Sequence, residues 1–176
     1  MLIAVSGLAR SGKNTVTDRL AARLRAQLVR ASHKDVAARR HMDVLVFERT
    51  IRGAALDKEL DAWTVAEAKK HKRCVVDAML SGWLLPNADL RVWLYATDEV
   101  RAGRAVTLDP TIKKADALRY IGERDRVFRN RIKKVYGIDW WDPKWYDIMI
   151  NTGGAFDRRP DAVVDVVVAA IKARKR

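Results

Sequence analysis

A short apolar run, Leu2-Ile3-Ala4-Val5, leads into Gly7-Leu8-Ala9-Arg10-Ser11-Gly12-Lys13-Asn14-Thr15, and a helix-like pattern from Thr17 to Leu28 follows. Strand, glycine loop and helix in that order are the layout of a P-loop, a cradle for nucleotide phosphates. Gly7 and Gly12 open backbone angles closed to other residues, so successive N–H groups, those of Ala9, Arg10 and Ser11 among them, can turn inward around an anion. The helix that follows directs the positive end of its dipole at the same anion. Lys13 is then placed to reach the β- and γ-phosphates. Asn14 departs from the pattern, which asks there for the Ser or Thr that ligates Mg²⁺. Its amide oxygen can still hold the metal, directly or through water, and Thr15 supplies a hydroxyl one residue on.

Strand and helix signals alternate along the rest of the chain, which predicts an α/β fold with a parallel sheet covered by helices on both faces. After the P-loop helix the expected elements are a short strand, Gln27 to Ala31, and a helical stretch from about Lys34 to Lys72 with breaks near Met42 and Gly53. Cys74-Val75-Val76-Asp77 reads as a buried strand, and Leu90 to Ala96 as the next. Thr97 is placed to cap a helix carrying Arg101 and Arg104, and Asp109-Pro110 to open a long helix to about Tyr136. Tyr146 to Asn151 is the last strand, and Asp161 to Ala173 the closing helix. Five strands with crossover helices place a ligand at the carboxyl ends of the strands.

With 176 residues the chain fits one domain with a sizeable core. The one cysteine, Cys74, cannot form an internal disulfide, so a reducing, cytoplasmic setting is expected. A signal peptide is not expected, because the apolar start runs directly into the glycine loop, and no stretch has the roughly 20 apolar residues of a membrane span. Charge is the unusual quantity: 35 basic against 22 acidic residues give +13. That balance is read either as a solvated basic surface or as a site for an anionic partner, clustered nucleotide phosphates or nucleic acid.

Asp77 falls at the end of an apolar strand after a P-loop, where a metal-holding carboxylate is expected; the alternative is a helix-capping or loop aspartate. Phosphoryl transfer needs positioning and positive charge more than covalent chemistry. Arg101 and Arg104 on one helix face, and Arg124, Arg129 and Arg131 on the long helix, are candidates for that charge, with a surface role the alternative for each. Trp140, Trp141 and Trp145 are read as packing residues. His33, His41 and His71 show no ligand spacing.

Several segments resemble the archaeal-type cytidylate kinases, nucleoside monophosphate kinases with a P-loop. They are Tyr136-Gly137-Ile138-Asp139, Tyr146-Asp147-Ile148-Met149-Ile150-Asn151-Thr152, Ser81-Gly82-Trp83, Arg91-Val92-Trp93-Leu94 and Leu56-Asp57-Lys58-Glu59-Leu60-Asp61. The resemblance implies a five-stranded parallel core, a monophosphate-binding insertion near residues 32–65 and a lid near residues 105–127. It also implies ATP:CMP phosphotransfer with Mg²⁺. Carried over by position, Gly7, Gly12, Lys13 and Thr15 match the ATP phosphate site. Asp77 matches the acidic residue after the third strand, and Asn151 and Thr152 lie beside the expected adenine loop. Arg104, Arg124 and Arg131 match basic lid positions, while Arg39 and Asp57 fall on the acceptor side.

Departures concentrate on that acceptor side. The family's acidic-Gly-Arg triplet is here Asp77-Ala78-Met79, and Val36 stands where an arginine is expected on the first helix after Ser32. In the lid, Thr107-Leu108-Asp109 replaces the usual basic pair and acid. Two readings follow. One is a small phosphotransferase acting on a nucleoside monophosphate, with CMP or dCMP first. The other is a P-loop ATPase or switch whose basic surface binds RNA.

Overall fold

The structure, a computed structural model, describes residues 1–31, 33–42, 46 and 53–174. In chain order the elements are β1 (Leu2–Gly7), α1 (Lys13–Leu24), β2 (Gln27–Val29), α2 (His33–Arg39), α3 (Ala54–Ala68), β3 (Cys74–Asp77), α4 (Ser81–Leu84), β4 (Leu90–Tyr95), α5 (Asp98–Leu108), α6 (Lys114–Tyr136), β5 (Ile148–Asn151) and α7 (Pro160–Arg174). The strands form one five-stranded sheet in the order β2-β3-β1-β4-β5. Every pairing is parallel.

Strands buried on both faces need near-continuous apolar runs, and β1 from Leu2 to Val5 and β3 from Cys74 to Val76 read that way. Ile3, Val5, Val75, Val92 and Leu94 point to one face, where Val16 and Leu20 of α1 and Val163, Val164 and Val167 of α7 cover them. Ala4, Cys74 and Val76 point to the other face, against Ala68 of α3 and Leu85. Beside them Trp93 meets the rings of Trp140 (5.0 Å) and Tyr146 (4.9 Å), and the Tyr146 hydroxyl donates to the Trp140 carbonyl at 2.6 Å. The tryptophans do pack, as their sequence context implies.

Several boundaries differ from the sequence reading, for local reasons. The first helix starts at Lys13 and stops at Leu24, because Arg25 takes a left-handed conformation (φ 48°) that turns the chain into β2. The long helix starts at Lys114 instead of Asp109: the Asp109 carboxylate accepts from the Thr111 amide (3.1 Å) and hydroxyl (2.6 Å), which holds a turn. Thr97 does cap α5, accepting from the Val100 amide at 3.4 Å. The helical stretch from Lys34 to Lys72 is divided between α2 and α3, and residues 43–45 and 47–52 of it lie outside the described residues.

Arg101 is a correction. Its side chain is 1% exposed and ion-pairs with Asp125 (2.6 Å) of α6 and Asp98 (2.6 Å). It also donates to the Ala9 carbonyl at 3.2 Å. Arg101 therefore ties α5, α6 and the glycine loop together and is not free to serve a lid. Removing one partner of a buried ion pair leaves a charge without compensation. Asp125→Ala is expected to cost about 3 kcal/mol, the low end of the usual range because Asp98 remains. Urea unfolding measures this, and a loss under about 1 kcal/mol would show that the pair is not structural.

Candidate active site

The glycine loop is shaped by two local constraints. A Cβ at Gly7 would collide with the Leu94 carbonyl oxygen of the neighbouring strand, and Gly12 sits at φ +81°, which other residues rarely adopt. Loop residues Gly7 to Thr15 line a cleft of about 930 Å³, closed on the far side by α5, α6 and the chain around Thr152 and Arg158. Two buried polar atoms lack partners among the described residues and belong to cleft-lining side chains: Ser11 Oγ and Arg124 Nη1. Buried polar atoms are normally satisfied, so this pair marks where a ligand's oxygens would lie.

Arg104 and Thr152 brace the loop. Arg104 donates to the carbonyls of Arg10 (3.1 Å) and Thr152 (2.6 Å), to the Thr152 hydroxyl (3.1 Å) and to Asp157 (2.9 Å). The Thr152 hydroxyl donates to the Ser11 carbonyl at 2.7 Å. Asn151 turns away: its Oδ1 accepts from the Gly153 amide at 2.9 Å, and it does not line the cleft.

Parallel register brings the charged centre together. Val5 pairs with Asp77, and Val29 pairs with Val76, so Arg30, one residue beyond β2, stands beside Asp77. The buried Asp77 carboxylate accepts from Lys13 Nζ, from Arg30 Nε (2.7 Å) and from the Thr17 hydroxyl (2.8 Å). Burial, and then the Arg30 charge, push the Lys13 ammonium down to about 7.

A second cavity of about 250 Å³ opens on the other side of this centre, lined by Asp57, Asp61, Thr64 and Phe128 as well as Lys13 and Arg30. Burial pushes the Asp61 carboxyl up to about 6, opposed by the Tyr136 hydroxyl that donates to it at 2.5 Å and aided by the Asp57 charge. Asp57 is also raised by burial, against the pull of Arg131. Arg131 is held by Asp57 (2.8 Å), lies over the Phe128 ring and does not line either cavity. Arg39 is exposed on α2, likewise outside both linings, and Arg129 pairs with Asp139 on another face. Val36, 1% exposed, is core.

For a divalent cation the oxygen donors at hand are Asn14 and Thr15, both exposed on the cleft, and Asp77, which lines the smaller cavity beside Lys13 and Asn14. Among the described residues no cluster of three or more His, Cys, Asp or Glu could hold a metal unaided. Hard oxygen donors that complete their shell with phosphate and water suit Mg²⁺.

The sequence model of the cytidylate kinase-like family matches residues 2–154. The chain belongs to the cytidylate kinase-like family. It is 35% identical to the cytidylate kinase of Pyrococcus furiosus over 174 residues, covering 97% of this chain and 88% of that one. With the cytidylate kinase of Archaeoglobus fulgidus the identity is 32% over 181 residues, covering 99% and 97%. Among solved structures, the shikimate kinase of Aquifex aeolicus superposes with a TM-score of 0.64 at 18% identity, covering 99% of this chain and 98% of that one. That of Bacteroides thetaiotaomicron gives 0.67 at 12%, covering 98% of each. These likenesses show a P-loop kinase fold. Among the described residues no helix is long and apolar enough to cross a membrane.

Sequence reasoning missed Arg30, Thr17 and Asp61 in this family member. A signal for Arg30 existed: residues just past the carboxyl end of a strand face the crevice of such a sheet.

The state of Lys13 gives a pH test. A polyphosphate beside it returns the ammonium to its ordinary range, so binding takes up a proton above about pH 7. Affinity for ATP is then full below about pH 7 and falls as pH rises, by up to about tenfold per unit. Calorimetric titrations with ATP in buffers of different ionisation enthalpy measure the uptake directly. No uptake at pH 8 would mean that Lys13 is already charged in the free protein.

Proposed function

We propose that this chain transfers the γ-phosphoryl group of ATP to a nucleoside monophosphate, with CMP or dCMP the acceptor. The observation that carries the reading is the junction of the two cavities: the cleft and the smaller cavity share Lys13, Asn14 and Met79. Donor phosphates in the glycine loop would face an acceptor across Lys13. An acceptor phosphate oxygen attacks the γ-phosphorus, the bond to the β,γ-bridging oxygen breaks, and ADP leaves with the electron pair. Lys13, with the positive end of the α1 dipole, offsets the charge that gathers on the bridging oxygen. Asn14, Thr15 and Asp77 are the residues that would hold Mg²⁺, which would supply charge to offset that of the donor phosphates.

Asp57 and Asp61 favour cytosine. Ionised carboxylates only accept hydrogen bonds, and the exocyclic amine of cytosine donates where uracil presents a carbonyl. The lid, residues 105–127, comprises the end of α5 and the first half of α6, and it contributes Thr107, Leu108 and the cation Arg124 to the cleft. Arg104 acts as a brace for the loop, and Arg131 as the partner of Asp57. The insertion at residues 32–65 extends beyond the described residues and includes Asp57 on the acceptor cavity. ATP as donor, and Cys74 buried and unpaired, fit the cytoplasm.

No comparison supports RNA as a partner, so the ATPase reading is the weaker one. An acceptor panel, ATP with each nucleoside monophosphate read as diphosphate formed, tests the proposal, and CDP or dCDP is the expected product. In the same assay Arg124→Ala is expected to lower turnover on the order of 10³-fold with ATP binding changed far less. ATP hydrolysis stimulated by RNA, with an empty panel, would overturn the reading.

A further inference from the structure

An acceptor that ends in a phosphate reaches the shared wall of the two cavities as a dianion facing the donor's own phosphates. Anions brought that close repel, so a cation has to stand on the acceptor side as well. Among the described residues, two cations line the acceptor cavity, Lys13 and Arg30. Lys13 belongs to the donor loop. Arg131 is occupied by Asp57, and Arg39 lies outside the lining. The two positions where an arginine is expected carry Val36, which is core, and Met79, which has no charge.

We propose that Arg30 binds the acceptor's phosphate and takes over the work of the missing arginines. The inference rests on the phosphotransferase reading above. Arg30 Nε is anchored on Asp77 at 2.7 Å, and Nη2 donates to Thr17 Oγ1 (2.9 Å), the Asn14 carbonyl (3.2 Å) and Asp18 (2.9 Å). These hydrogen bonds run through Nε and Nη2, and the side chain is 34% exposed, at the cavity wall and not inside the core. A guanidinium is a rigid fork: anchored through one edge, it presents the remaining N–H groups in a fixed direction to a phosphate oxygen. Its place beside Asp77 comes from the β2–β3 register, so the cation is set by the sheet and not by a loop.

The test compares the parent with Arg30→Met and Arg30→Lys, using whichever monophosphate the panel shows to be turned over, and the matching free nucleoside. Arg30→Met is expected to raise KM for the acceptor roughly 10- to 100-fold, the range for a hydrogen bond to a charged group, with KM for ATP changed less than about threefold. The preference for monophosphate over nucleoside in equilibrium binding is expected to fall by the same factor. Arg30→Lys keeps the charge and loses the fork, so it is expected to recover part of that preference. A residue that only supported the fold would weaken nucleoside and monophosphate together, and an unchanged ratio in either variant overturns the inference. Should Arg30→Met fail to fold by circular dichroism, the ratio in Arg30→Lys decides alone, with a severalfold loss expected. A parent that phosphorylates no monophosphate removes the phosphotransferase reading and this inference with it. An active parent whose variants keep the ratio removes the inference alone.

Discussion

A carboxylate with no exposed surface cannot stay ionised without partners, and Asp77 is such a group. Taking one charge out of water costs several kcal/mol, and the cost is met here from three directions. Lys13 comes from the glycine loop, Thr17 from the next turn of α1 and Arg30 from the end of β2. The centre therefore exists only when β1, β2 and β3 are in register and α1 is docked on them. Fold and site share this one constraint. Neutralisation also sets the free state of the loop, because the lysine meant for a phosphate is engaged by a carboxylate until an anion draws it away.

The excess of basic residues takes a different meaning once they are placed. Among the described residues the cleft alone is lined by Arg10, Lys13, Arg104, Arg124, Arg158 and Arg159, against Asp157 as the single carboxylate. Clustered phosphates within a concave site require that imbalance, where a flat nucleic-acid surface would spread it. Elsewhere some arginines are engaged in pairs, as where Arg91 and Arg174 share Asp147. Net charge is a property of the chain, and the same +13 fits either partner until the positions are known.

The elements most legible in the sequence were those whose signal is local. The glycine loop, the run Cys74 to Asp77 and the cap at Thr97 are each contained within a few residues, and each stands where its pattern put it. Helix starts were less legible where a side chain forms its own turn, as Asp109 does with Thr111. Arg101 read as a candidate cation for phosphoryl transfer, or as a surface residue, because its partner Asp125 is on another helix, 24 residues along the chain, and sequence spacing carries no trace of that contact.

The acceptor side was least legible, for a reason that lies in the sheet. Arg30 and Asp77 are 47 residues apart in sequence, and only the parallel pairing of β2 with β3 makes them neighbours. A motif fixes residues along one segment, whereas a site at strand ends is assembled across segments, so a function can move from one strand end to the next without leaving a motif behind. Loss of arginine at the position of Met79 says that one way of holding an anion has gone. It does not say that the anion has gone, since a guanidinium at the end of the adjacent strand, that of Arg30, lines the same cavity as Met79.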